Sequence, residues 1–252
     1  MNTTIFAFAG KGGVGKTSLS AAFVRLLTEQ YPDKKILAVD ADPAVGLATA
    51  LNMEPRRTLD EIRCEITENI ERGAATQAAE LLSEAKFHLT DAIAEKGNLS
   101  FLAIGRPESS GCYCRVNAYL KQVIETISGN YDFVVIDGEA GIEQINRRVM
   151  EQITYLVLVT DASKKGLQVV STIKEVASRL VACKKTGIIV NRAVGSFVPD
   201  LPDLLAVIGN DPNQAENDMN GESVFALSAS SPLYRGAKQA LTKLLEDDHA
   251  AV

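Results

Sequence analysis

Six short runs of apolar residues punctuate the chain: TIFAFA (4–9), KILAV (35–39), LSFLAI (99–104), DFVVI (132–136), TYLVLV (154–159) and TGIIV (186–190). Each is continuous rather than alternating, which predicts strands buried on both faces of a parallel sheet. Helix-length segments fall between and after them, at 16–30, 112–128, 143–151, 165–182 and 233–246. SVFALS (223–228) reads as a last strand. Strand followed by helix followed by strand, repeated in this way, calls for right-handed crossovers. The predicted fold class is α/β, with a mostly parallel, helix-flanked, twisted sheet. Residues 55–97, rich in Glu and Ala, read as an insertion of two helices covering one flank. Residues 196–221 hold three of the eight prolines and read as a loop with one short helix. With no repeat, low-complexity tract or long linker, residues 1–252 are expected to form one domain.

Composition narrows the function classes. A net charge of −6 and a pI near 5.1 argue against a nucleic-acid surface, which is normally basic. No apolar run approaches the roughly 20 residues that span a bilayer, so no membrane partner is expected. MNTTIFAFAGKGG runs straight from a short apolar stretch into glycines, unlike a secretory leader. Four cysteines in 252 residues do not make a disulfide scaffold, and a reducing, cytoplasmic location is expected.

GKGGVGKT, Gly10 to Thr17, follows the first predicted strand and opens a helix. It matches the phosphate-loop pattern in the context that pattern requires, which predicts a single-domain P-loop NTPase. Gly10, Gly12, Gly13, Val14 and Gly15 offer successive backbone N–H groups to a phosphate, and Ser18 lies in the first helical turn beyond. Lys16 is placed to reach the β- and γ-phosphates, and the Thr17 hydroxyl to ligate Mg²⁺. The additional Lys11 resembles the deviant phosphate-loop ATPases: the nitrogenase iron protein, the Min and Par partitioning ATPases, and the metal-centre maturation ATPases. That resemblance implies that Lys11 reaches a partner's nucleotide across a two-fold homodimer.

Three acids stand near this loop. In AVDADPAVG (38–46), Asp40 and Asp42 are two apart, so their carboxylates point the same way with Cα atoms roughly 6.5 Å apart. The resemblance implies that Asp40 lies on the metal side and that Asp42 is catalytic, orienting the attacking water. Asp137 closes the strand of YDFVVIDGEAGIE and reads as a second acid on the Mg²⁺ shell. In GIIVNRAVG, Asn191 can both donate and accept, which fits the N6/N7 edge of adenine, with Arg192 beside it. Val194 stands where guanine-reading loops carry Asp, so ATP is expected over GTP.

Cys112 and Cys114 follow a strand and open a predicted helix next to Arg115, a setting that favours thiolate. Two thiolates do not complete a four-ligand shell. A two-fold dimer supplies them twice, so each chain is expected to carry half a metal site for Ni²⁺ or Zn²⁺. Cys64 and Cys183 read as core residues in helical contexts; His88 and His249 fall in the insertion and the tail. The deviant loop, DADP, the C-x-C pair and EAGIE (139–143) together resemble the CooC-type ATPases, which supply nickel to carbon monoxide dehydrogenase. This resemblance implies nickel capture between protomers, with carbon monoxide dehydrogenase or the related acetyl-CoA synthase as client. Gln144 departs from the pattern, where His is expected. Two rivals are weaker. A positioning ATPase calls for a basic patch or basic amphipathic helix, and LTKLLEDDHAAV is acidic. A nitrogenase-like reductase calls for a cysteine after the Asp137 strand, and residues 137–150 have none.

Overall fold

The computed structural model describes residues 3–42, 46–71, 87–105, 121–122, 124–138, 152–180, 182–195 and 199–249. Eight strands form one sheet: β1 (Thr4–Gly10), β2 (Ile36–Asp40), β3 (Ala94–Lys96), β4 (Leu99–Ala103), β5 (Phe133–Asp137), β6 (Gln152–Thr160), β7 (Ala182–Ala193) and β8 (Leu204–Gly209). Their order is β3-β4-β2-β5-β1-β6-β7-β8, with every pairing parallel except β3 against β4. The named helices are α1 (Lys16–Gln30), α2 (Gly46–Leu51), α3 (Leu59–Glu71), α4 (Lys164–Leu180), α5 (Pro212–Asn220) and α6 (Pro232–His249).

The sheet is covered on both sides, which is why its central strands are apolar throughout. Phe6 and Phe8 of β1 face one layer with Phe23 of α1 and Leu241 of α6. Ala7 and Ala9 face the other with Ile62 of α3 and Ile173 of α4. Phe6 stacks on Tyr155 at 5.1 Å and meets Phe23 edge-on at 5.7 Å. Each such buried aromatic stabilises the fold by about 1.5–3 kcal/mol from area alone. Thr58 and Glu61 cap α3 reciprocally: the Glu61 N–H donates to the Thr58 hydroxyl at 3.3 Å, and the Thr58 N–H to the Glu61 carboxylate at 2.7 Å.

Four sequence expectations need correction. SVFALS is not a strand; the Ser223 hydroxyl accepts from the Phe225 N–H and starts a 3₁₀ turn, Val224–Ala226. The last strand is β8, inside the segment expected to be a loop, where Leu205, Ala206 and Ile208 are buried. The 55–97 insertion contains β3 as well as α3 and the helical residues 87–92, because Ala94–Lys96 pairs antiparallel with the start of β4. Cys183 lies in β7 rather than a helix. The expected helix over 143–151 and the first part of that over 112–128 lie outside the described residues.

Candidate nucleotide site

The C-terminal ends of β1, β2, β5, β6 and β7 converge on one edge of the sheet. The phosphate loop leaves β1 there and runs into α1 at Lys16. Gly10, Gly13 and Gly15 take φ values of 149°, 78° and 91°. At Gly15 this left-handed backbone combines with close approach: a Cβ would sit 2.5 Å from the Asn191 Nδ2. Glycine is therefore required twice over at that position. Lys16 is buried, and its Nζ curls back to donate to the Lys11 carbonyl at 3.3 Å.

Asp40 and Asp137 are register partners on β2 and β5, so the sheet itself sets the two carboxyls side by side. Asp40 is wholly buried; its oxygens accept from the Asp42 N–H at 3.0 Å and the Leu47 N–H at 2.8 Å. Burial, reinforced by the Asp137 charge, pushes Asp40 up to about 7. Asp137 is 1% exposed, with Oδ1 accepting from the Ser20 hydroxyl at 3.0 Å and Oδ2 having no partner among the described residues. Burial pushes Asp137 up to about 6, against the pull of the Thr17 and Ser20 hydroxyls and the Lys16 charge. The Asp42 charge is felt by both.

Two carboxyls held above their ordinary range, one with an orphaned buried oxygen beside a phosphate-loop hydroxyl, fit a hard divalent cation. Thr17, Asp40 and Asp137 are the residues that would hold Mg²⁺, the remaining ligands coming from phosphate and water. No group of three or more His, Cys, Asp or Glu gathers to hold a metal among the described residues.

On the other side of the loop, Asn191 is buried at the end of β7. Its Nδ2 donates to the Val14 carbonyl at 2.8 Å, and its Oδ1 accepts from the Arg192 N–H at 2.9 Å. The Asn191 amide thus ties the phosphate loop to β7. Arg192 takes a left-handed backbone, φ 55°, and its guanidinium donates to the Gly13 carbonyl at 2.8 Å. A cavity of about 340 Å³ opens beside them, walled by Gly15, Ser18, Asn191 and Arg192 on one side and by Gln214 and Asp218 of α5 on the other. It adjoins the phosphate loop and has the size of a nucleobase site.

Lys11 forms an ion pair with Asp161 of the same chain at 3.5 Å. Asp161 follows β6 and is held by the Ser163 hydroxyl and N–H, which together with the Lys11 charge keep its carboxyl below the usual range against the effect of burial. Sequence reading missed Asp161, Ser20, Gln214 and Asp218. DAS (161–163) is an Asx-turn signal and ND-P (210–212) a helix start, and both mark where these residues come from. Cys112, Cys114, Glu139 and Gly141 lie outside the described residues. No helix among the described residues is long and apolar enough to cross a membrane.

Known proteins share this arrangement. The AAA domain family model matches residues 2–186. An ATP-binding protein of Methanocaldococcus jannaschii is 32% identical over 250 residues, covering 96% of this chain and 98% of its own. The carbon monoxide dehydrogenase accessory protein CooC of Rhodospirillum rubrum is 29% identical over 245 residues, covering 88% and 89%. Among solved structures, the septum site-determining protein MinD of Pyrococcus horikoshii, complexed with Mg-ADP, superposes with a TM-score of 0.67 at 24% identity over 96% of both chains. A putative plasmid partition protein of Borrelia burgdorferi, bound to AMPPNP, gives 0.69 at 16% identity over 98% of this chain and all of its own. The phosphate loop at the head of a parallel sheet, the paired carboxyls beside it and these likenesses agree: the chain belongs to the AAA domain family and is a P-loop ATPase, with the fold that MinD and the plasmid partition protein share.

Proposed function

We propose that this ATPase is a nickel metallochaperone, loading carbon monoxide dehydrogenase or the related acetyl-CoA synthase. The observation that carries the reading is the likeness to the CooC accessory protein along nearly nine-tenths of both chains. Cys112 and Cys114, two thiols one residue apart, add the soft ligands that such a cargo requires. Lys16 and the loop N–H groups hold the β- and γ-phosphates, and Asp42 orients the attacking water. Thr17, Asp40 and Asp137 hold Mg²⁺, which when bound screens the phosphate charge. Lys11, released from Asp161, reaches the nucleotide of a second copy. The two-fold axis then brings Cys112 and Cys114 of both chains to one ion, and the state of the nucleotide decides whether that ion is held or released.

The test is metal analysis of anaerobically purified protein supplied with Ni²⁺, with and without ATP. The expected ratio is half a metal per chain, lost on Cys112→Ser or Cys114→Ser and unchanged on Cys64→Ser or Cys183→Ser. One metal per chain, unaffected by Cys112→Ser, overturns the shared site. No metal, together with ATP-dependent binding to anionic vesicles, would make the chain a positioning ATPase instead.

A further inference from the structure

The two acids beside the phosphate loop are held in different ways. Asp40 is gripped by backbone: its Oδ1 accepts from the Asp42 N–H at 3.0 Å and its Oδ2 from the Leu47 N–H at 2.8 Å. Asp137 relies on a side chain. Its Oδ1 accepts from the Ser20 hydroxyl at 3.0 Å, while its Oδ2 makes no hydrogen bond of ordinary geometry among the described residues. The backbone under Asp137 is fixed, because the Ala41 N–H donates to its carbonyl at 2.9 Å and the Gly138 N–H donates to the Phe8 carbonyl at 3.1 Å. What the backbone leaves open is the turn of the carboxyl about its last bond, a broad, two-fold torsion in aspartate. The Ser20 bond closes it.

Ser20 lies on α1, three residues past Thr17 and four past Lys16, so its side chain shares a face with both. It is wholly buried, and its single hydroxyl proton has two acceptors at 3.0 Å, the Asp137 Oδ1 and the Lys16 carbonyl. Regular helix pairing already gives that carbonyl the Ser20 N–H. A carboxylate is the stronger acceptor, since bonds to a charged group are shorter and roughly twice as strong as neutral ones. The proton therefore goes to the charged Asp137. Alanine at this position would build the same helical turn and leave Oδ1 without that donor.

We propose that Ser20 is a positioning residue for the ATPase reaction, holding Asp137 by Oδ1 so that Oδ2 is the oxygen left for the Mg²⁺ shell. Ser20 acts through Asp137 and touches neither nucleotide nor cation. The proposal rests on Thr17, Asp40 and Asp137 being the residues that hold Mg²⁺.

The test reads binding rather than turnover. Dissociation constants of AMPPNP, a non-hydrolysable ATP analogue, are measured by equilibrium dialysis in Mg²⁺ and in EDTA. They are compared for the native chain, Ser20→Ala, Asp137→Asn and the double variant, and the ratio of the two constants is the advantage that the cation confers. Ser20→Ala is expected to lower that advantage about tenfold, the worth of one hydrogen bond to a buried charged group, and to leave the constant in EDTA where it was. Asp137→Asn should lower it at least as far, and adding Ser20→Ala to that variant should lower it no further, because no charged partner is left to aim. Equal weakening in Mg²⁺ and in EDTA marks a structural role and overturns the proposal, as does a loss that repeats in full on the Asp137→Asn background. A native advantage that Ser20→Ala keeps refutes Ser20 and leaves the Mg²⁺ site standing; a native chain with no advantage refutes both.

Discussion

Replacing Asp137 by asparagine should make the nucleotide-free protein more stable at pH 8 and no more stable at pH 4. The Asp137 carboxyl is 1% exposed, and one of its oxygens makes no hydrogen bond of ordinary geometry among the described residues, so its charged form is poorly solvated despite the nearby Thr17 and Ser20 hydroxyls. Its pKa rises from 3.8 to about 6. Between those two values the native state binds a proton that the unfolded chain has released, so stability falls as pH rises through this window. Above pH 6 the whole penalty is present. A rise of about two pKa steps, at 1.36 kcal/mol each, makes it about 3 kcal/mol. Asparagine keeps a carbonyl for the Ser20 hydroxyl and removes the charge. Urea unfolding in EDTA without nucleotide should therefore show Asp137→Asn about 3 kcal/mol more stable than the native chain at pH 8. In a thermal scan of a chain this long, that is a rise of roughly 6–12 °C. At pH 4 both carboxyls are neutral in the native fold and the gap should close. Mg²⁺ and ATP should reverse the order, because the variant lacks the charge that the cation needs, and its hydrolysis should be lost. A variant no more stable than native at pH 8, or a gap that persists at pH 4, refutes the reasoning.

Other substitutions probe the rest of the site. Asn191→Ala leaves the Val14 carbonyl without its donor, and should cost about 1–3 kcal/mol in urea unfolding while weakening ATP and purine riboside triphosphate, which lacks the 6-amino group, by the same factor; loss confined to ATP would mean that Asn191 itself reads the base. Lys11→Ala removes an ion pair whose partners are 39% and 33% exposed, so stability should change by less than about 1 kcal/mol. Sedimentation with a non-hydrolysable ATP analogue should nevertheless show monomer for Lys11→Ala and dimer for the native chain, and equal dimerisation would defeat the cross-dimer role. Gly166→Ala places a Cβ 2.3 Å from the Asp161 Oδ1, so it should break the Asp161 turn and free Lys11 without touching the loop; analogue-driven dimer at lower protein concentration than native is the expected reading, and an unchanged concentration dependence would show the pair to be inert.

The apolar runs at 4–9, 35–39, 99–104, 132–136, 154–159 and 186–190 all became strands, because a strand with helices on both sides has no polar face to disguise it. LLAVIG, which became β8, is an equally continuous run, but it lies among Pro199, Pro202 and Pro212, and turn residues dominated the reading. SVFALS misled in the opposite direction: apolar residues in sufficient density hid a serine cap. The phosphate loop and Asp40 were legible because their chemistry depends on spacing along one segment. Asp161, Ser20 and Gln214 were not, because what distinguishes each is a neighbour far away in sequence or an atom left unpaired by packing. Asn191 shows the limit from the other side. Its side chain suits a base edge on paper, while in the fold its first partners are the backbone of Val14 and Arg192.

The strand order has a consequence for how the protein is made. β1 lies between β5 and β6, so its first neighbours in the sheet are synthesised more than a hundred residues after it. The candidate nucleotide site draws on Gly10–Thr17, Asp40, Asp137 and Asn191, which means that no early portion of the chain contains it. On the ribosome, β1 and its glycine loop wait with an apolar strand unpaired until β5 and β6 emerge, a delay of seconds at ordinary elongation rates of about 5–20 residues per second. ATP cannot assist that early stage, since its binding groups are not yet together. Its capture is instead a late event, a signal that the whole sheet has closed, and crowded nascent chains need protection through the interval before it.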